Sequence, residues 1–168
     1  EIVHIASHFK LVPGRETDSF LLLGDGSPLS LSDIRKGRGF RFGGVDLLTL
    51  SACETARGGD GDADEVESFG ALAQMNGASS VMATLWPVAD EATAALMQSF
   101  YRHMVEGKMS KAEALRAAQV EAIRSGSAGG GVDERGAASL LSTKLASGSV
   151  NASHPYFWSP FVLMGNWM

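Results

Sequence analysis

Val45-Asp46-Leu47-Leu48-Thr49-Leu50-Ser51-Ala52-Cys53-Glu54-Thr55-Ala56 is the stretch on which the fold turns. Val45 to Leu50 is apolar except for Asp46 and Thr49, which predicts a strand covered on both faces, as in the middle of a parallel sheet. The run closes on Ser51-Ala52-Cys53, and a polar, Gly-rich loop from Arg57 to Asp64 follows. The only cysteine of the chain thus sits where a buried strand opens into a loop. In open α/β sheets that carboxyl end of the strands is where ligands bind.

Upstream, Ile2 to Ser7 is a β-branched run that predicts a buried strand, and His8 follows it. A sheet rarely starts so abruptly, so an N-terminal part is expected to be missing or supplied by another chain. Pro13-Gly14 marks a turn, Ser19 to Leu23 a second strand, Gly24-Asp25-Gly26 a tight reversal, and Leu29 to Leu31 the returning arm of a hairpin. Ser30 or Ser32 caps a short helix that stops at Gly37.

Downstream, Asp64-Glu65-Val66-Glu67 resembles a capping box for a helix that buries Val66, Phe69, Leu72 and Ala73 and stops at Gly77. Ser80 to Trp86 predicts a strand ended by Pro87. Asp90 caps a longer helix whose stripe of Met97, Phe100, Tyr101 and Met104 has helical spacing, ending at Gly107. Ser110-Lys111-Ala112-Glu113 is a full capping box for a helix that buries Leu115, Ala118 and Ala122 and ends near Arg124. Residues 125–153 are Ser/Gly/Ala-rich and read as a mobile insertion. Phe161 to Met164 is the last strand. Strands alternating with helices define an α/β fold with a mostly parallel sheet and helices on both faces.

Composition narrows the function classes. With 168 residues, 45% hydrophobic and 20% charged, the chain is one ordinary globular domain. A net charge of -5 and no basic stripe argue against direct contact with nucleic acid. One cysteine leaves no internal disulfide and points to a reducing, cytoplasmic compartment. Neither a membrane-length apolar run nor a signal-peptide pattern is present. No strand runs into a Gly-x-Gly-x-x-Gly or Gly-Lys-Ser/Thr turn that would cradle phosphate. No set of Cys, His and carboxylates has metal-ligand spacing, and the acids of residues 57–64 lack the twelfth-position glutamate of a calcium loop. No cofactor is implied.

His8 and Cys53 both lie just past predicted strand ends. On one rim of a sheet they are the minimum for a cysteine nucleophile, with the imidazole taking the thiol proton and returning it to a leaving amine. Six stretches, in order, carry a resemblance: Val3-His4-Ile5-Ala6-Ser7-His8, Ser19 to Gly26, Leu50-Ser51-Ala52-Cys53-Glu54-Thr55, Ala83 to Asp90, Glu113 to Gln119, and His154 to Gly165. Together they resemble the CHAT domain, a caspase/separase-like clan of cysteine peptidases usually fused to TPR repeats in bacteria. Ala52-Cys53 also matches the Ala-Cys of caspases, whose histidine lies upstream by about 50 residues. His8 precedes Cys53 by 45 here, and Ser51 and Glu54 depart from the caspase letters.

The resemblance implies a caspase-like three-layer sandwich, truncated at its N-terminus because the family domain is longer there. It implies His8 and Cys53 as the catalytic dyad and the N–H groups of Phe9 and Cys53 as oxyanion donors. A protein or peptide is the implied substrate, with TPR repeats, an activating N-terminal segment or a partner chain as further partners. Many members carry Gly where Phe9 stands, so a side chain is expected to crowd the approach here.

Trp86 and Asp90 follow a strand end on the same rim. They either line a substrate pocket or serve as a packed Trp and a helix cap. With Asp46 and Glu54 they make a basic residue before the cut thinkable. A carboxylate also raises a neighbouring thiol pKa, so Glu54 points away, holds a substrate cation, or silences the site. The alternative function is a catalytically silent protein-interaction domain of the same fold, indifferent to the loss of Cys53. Of the remaining histidines, His4 is expected as a hydrogen-bonded core residue, His103 on the surface, and His154 in a solvated turn.

Overall fold

The computed structural model describes residues 1–10, 12, 15–37, 41–51, 64–86, 88–127 and 153–168. The chain forms two compact units, Glu1–Pro87 with Phe161–Asn166, and Val88–Pro160 with Trp167–Met168. In chain order the first contains β1 (Ile2–Ala6), β2 (Phe9–Lys10), β3 (Phe20–Leu22), β4 (Pro28–Ser30), α1 (Leu31–Arg35), β5 (Leu47–Ser51), α2 (Asp64–Met75), β6 (Ser80–Thr84) and β7 (Phe161–Gly165). The second holds α3 (Asp90–Val105), α4 (Lys111–Ser127) and α5 (Pro155–Trp158).

The main sheet has the order β1-β5-β6-β7. Its first three strands are parallel and β7 runs antiparallel to β6. This is a mixed α/β fold with a mostly parallel, helix-flanked sheet, consistent with the caspase-like sandwich expected. β5 is the covered strand its letters predict, with Leu47, Leu48, Thr49 and Leu50 all buried. Strand alternation sends Leu48, Leu50, Val81 and Ala83 into one cluster with Ile34 of α1 and Leu72 and Ala73 of α2.

β1 differs from expectation. Among the described residues it is the outer strand of its sheet: Val3 and Ile5 pack on the cluster, while Ile2, His4 and Ala6 are exposed. A β-branched run specifies a strand but not its rank within a sheet. His4 is therefore not a core residue, although partial burial still lowers its imidazole pKa from 6.5.

The smaller sheet is an antiparallel meander, β2-β3-β4. Its hairpin reverses through Gly26 at φ 83, a conformation that favours glycine. Of the two caps offered by sequence, Ser30 is used: its Oγ accepts from the Asp33 N–H at 3.0 Å. Buried Ser19 organises the connection from β2 to β3. Its hydroxyl accepts from the Val12 N–H at 2.9 Å and lies 3.2 Å and 3.0 Å from the carbonyls of Val12 and Arg15. Gly77 ends α2 at φ 108, where a Cβ would stand 2.9 Å from the Gly43 nitrogen.

In the second unit α3 and α4 pack together, and α5 touches both. The cap of α3 is Ala89, without a side-chain hydrogen bond, and Asp90 is the first helical residue rather than the cap. Met97 and Phe100 of the predicted stripe are buried, whereas Tyr101 and Met104 are only partly so. The capping box of α4 forms as expected: the Ser110 N–H donates to Glu113 Oε2 at 3.0 Å, and the Glu113 N–H to Ser110 Oγ at 3.4 Å. His154 caps α5, its Nδ1 accepting from the Tyr156 N–H at 3.2 Å. The expected insertion over 125–153 falls almost wholly outside the described residues. Among the described residues no helix is long and apolar enough to cross a membrane.

His103 is the second correction. It is partly buried, with Nε2 2.9 Å from Glu121 Oε1. Arg102 Nη2 donates to Glu121 Oε2 at 2.8 Å, and the Ser99 hydroxyl donates to the same oxygen. Burial alone would raise the Glu121 pKa, but Ser99, His103 and Arg102 outweigh it and leave the pKa below 4.5.

Two outcomes are expected. Ser19→Ala strands the partly buried Val12 N–H and should lower stability by about 1 kcal/mol, read as a shifted urea midpoint at unchanged m. Glu121→Gln should lower stability at pH 7 by about 1 kcal/mol. A carboxylate with a depressed folded pKa stabilises above its unfolded value near 4.5. The gap between wild type and Glu121→Gln should therefore close as the pH falls through that range, measured by thermal melts from pH 7 to 3.

Candidate active site at the strand ends

β1 and β5 are parallel neighbours in a register running from Ile2↔Leu47 to Ala6↔Ser51. Each mate is 45 residues later, which is also the separation of His8 and Cys53 in the sequence. β5 and β6 pair Leu48 with Val81 and Thr49 with Met82, an offset of 33, which is also the separation of Cys53 and Trp86. On this numbering His8, Cys53 and Trp86 each come two residues after the aligned positions 6, 51 and 84. Adjacent strands lie about 4.8 Å apart, so β1 and β6 flank β5 with about 10 Å between them. Cys53 and Glu54 themselves lie outside the described residues.

The chain leaves β1 in a bend at Ser7, and His8 is exposed. Two hydrogen bonds hold this bend. The His8 carbonyl accepts from the Leu22 N–H at 2.9 Å, and the Ser7 hydroxyl donates to the Leu22 carbonyl. The backbone of one β3 residue thus grips both residues that carry the chain from the main sheet into the meander. Sequence reading passed over Ser7, because a serine at a strand end has no distinctive signal. Only the β2–β3 register shows that Leu22 stands opposite His8, within reach of the Ser7 hydroxyl one residue earlier.

That register also orients Phe9. His8 and Leu22 form a hydrogen-bonded pair, so the next pair, Phe9↔Leu21, is a non-bonded one, and the Phe9 N–H turns away from β3. The Phe9 ring, 7% exposed, lies in the apolar cluster. The expected crowding of the rim by this ring is corrected: alternation along β2 sends Phe9 inward and Lys10 outward.

Trp86 is half-buried in the bend after β6, at the same rim as His8. Asp46 is not brought there. It precedes Leu47 at the opposite end of β5, five residues and about 16 Å from Ser51. Its N–H donates to the Glu1 carbonyl at 2.8 Å and its carbonyl accepts from Ser80 Oγ at 2.5 Å. Asp90, exposed, belongs to the second unit. Among the described residues no three His, Cys, Asp or Glu side chains gather as metal ligands would.

A protein-family model described as the CHAT domain matches residues 1–166 of the 168-residue chain. No curated protein sequence matches it.

Phe9→Ala should behave as a core truncation and lower stability by about 3 kcal/mol or more in urea unfolding. A loss under about 0.5 kcal/mol would mean that the ring lies on the surface.

Proposed function

The chain belongs to the CHAT domain family, a caspase-like, peptidase-related family, and on that premise we propose that it is a cysteine endopeptidase domain acting through His8 and Cys53. The observation that carries the reading is the β1–β5 register, whose offset of 45 equals the spacing of the two residues. Two strands in that register end level, at Ala6 and Ser51, each two residues before its member of the dyad in sequence.

The chemistry follows from the groups. The Cys53 thiolate attacks the scissile carbonyl carbon while His8 holds the proton. The oxyanion takes hydrogen bonds from the N–H groups of Phe9 and Cys53. A donor of this kind is worth about 3 kcal/mol in other enzymes. Collapse breaks the C–N bond, and the His8 imidazolium gives its proton to the leaving amine. Water then attacks the thioester, losing its proton to His8, and the acid and the thiol are released.

The substrate is a protein segment held extended along the rim, with Trp86 beside it. A basic residue before the cut rests on Glu54, since Asp46 lies at the far end of β5. The same reading takes TPR repeats, an activating N-terminal segment or a partner chain as regulators, a bacterial cytoplasm as compartment, and no cofactor.

The test is the pH dependence of Cys53 alkylation in wild type and His8→Ala, both confirmed as folded. With one cysteine, the signal has one source. The wild-type rate should inflect well below the free-thiol value of about 8.5, and the inflection should rise in His8→Ala. Inflections near 8.5 in both proteins would remove the dyad and leave the silent interaction domain as the better account.

A further inference from the structure

We propose that the outward face of the meander is a docking surface for an extended protein segment that carries a carboxylate, with Lys10 as the residue that selects it. The strand registers line up three cross-strand rows: His8, Leu22 and Pro28, then Phe9, Leu21 and Leu29, then Lys10, Phe20 and Ser30. The middle row is buried, at 7%, 2% and 8% exposure. Alternation turns the first and third rows to the opposite face. There His8, Lys10 and Pro28 are exposed, and Leu22, Phe20 and Ser30 are half-buried.

This face joins an apolar strip to a held cation. Leu22 and Pro28 supply the strip. Lys10 Nζ stands 5.9 Å from the centre of the Phe20 ring, its mate across the strands. Two other cations of this part of the chain answer to carboxylates, Arg15 to Asp18 at 3.4 Å and Arg35 to Glu16. Among the described residues Lys10 forms no ion pair. The ring attracts the ammonium without neutralising it, and N–H donors remain for an anion. Asp33 meets the face at its far column, where the Ser30 hydroxyl donates to it at 2.6 Å. That column is two strands, about 10 Å, from β2. A carboxylate is therefore favoured over β2 and disfavoured over β4, which sets how the segment lies. His8 belongs to the first row, so on the peptidase reading the docked segment is substrate. The docking itself requires neither Cys53 nor any role of His8.

A blocked peptide Glu-Ala-Val-Val-Ala and its Gln-Ala-Val-Val-Ala counterpart test this, titrated at low salt to millimolar concentration into the nitrogen-15-labelled chain. The Glu peptide should shift the amide resonances of Lys10, Phe20 and Leu22. It should bind about two- to fivefold more tightly than the Gln peptide, the range of an exposed ion pair. Lys10→Gln should abolish the difference. Lys10→Glu should transfer the preference to a Lys-Ala-Val-Val-Ala peptide. Lys10 is exposed, so both variants should melt as wild type does.

The absence of shifts, shifts confined to other surfaces, or a Glu preference that survives Lys10→Gln would overturn the proposal. So would shifts in these rows that follow protein concentration without peptide, which would give the face to a second copy. Cys53 alkylation, read on the same samples, keeps the two claims apart: a failed dyad leaves the peptide preference standing, and a lost preference leaves the dyad untouched.

Discussion

The parallel pairing of β1 with β5 is the constraint from which the rest of the first unit follows. β5 is buried on both faces from Leu47 to Leu50, as β6 is along its length, so its register is held by packing from each side. β1 has no such freedom to choose. Val3 and Ile5 must meet the apolar cluster, and a slip of one residue would turn them outward and His4 inward. The two strands therefore end level with one another, at Ala6 and Ser51. β6 extends the same arrangement by one strand, and Trp86 is its contribution.

Around this pairing, the meander has a subordinate but definite part. It begins one residue after His8 and returns Leu22 to the bend at Ser7. The buried hydroxyl of Ser19 and the inward ring of Phe9 hold that return in place. Main sheet and meander share one apolar cluster, and the chain passes from one to the other through the bend at Ser7 and the exposed His8.

Much of this was legible in the letters, for identifiable reasons. An apolar run of strand length beside a Gly-rich loop has few alternatives, so β5 and its position were readable. The capping box at Ser110 and Glu113 is a reciprocal bond between two side chains and their own backbone, and needs no tertiary information. Other features are set by partners distant in sequence. Nothing in Ile2 to Ala6 tells that β1 is an outer strand, and nothing near His103 announces Glu121. Asp46 misled because it is seven residues from Cys53 in sequence, and an extended strand turns such a spacing into a separation of its whole length. Asp90 carries the same favourable charge at a helix N-terminus whether it is the cap or the first residue, so the letter alone does not choose. Cys53 and Glu54 are still known only as letters.

The 45-residue offset has a consequence for the order in which the chain folds. Contacts within the meander span 6 to 12 residues and close at small entropic cost. The β1–β5 pair closes a loop of 45 residues, and the meander lies inside that loop, so forming it first shortens what remains to be closed. A nascent chain in which only the meander has formed holds His8 on its finished support with no neighbouring strand beside it. The β1–β5 closure is the step that brings the two strand ends level, and the β6–β7 pair closes a longer loop still.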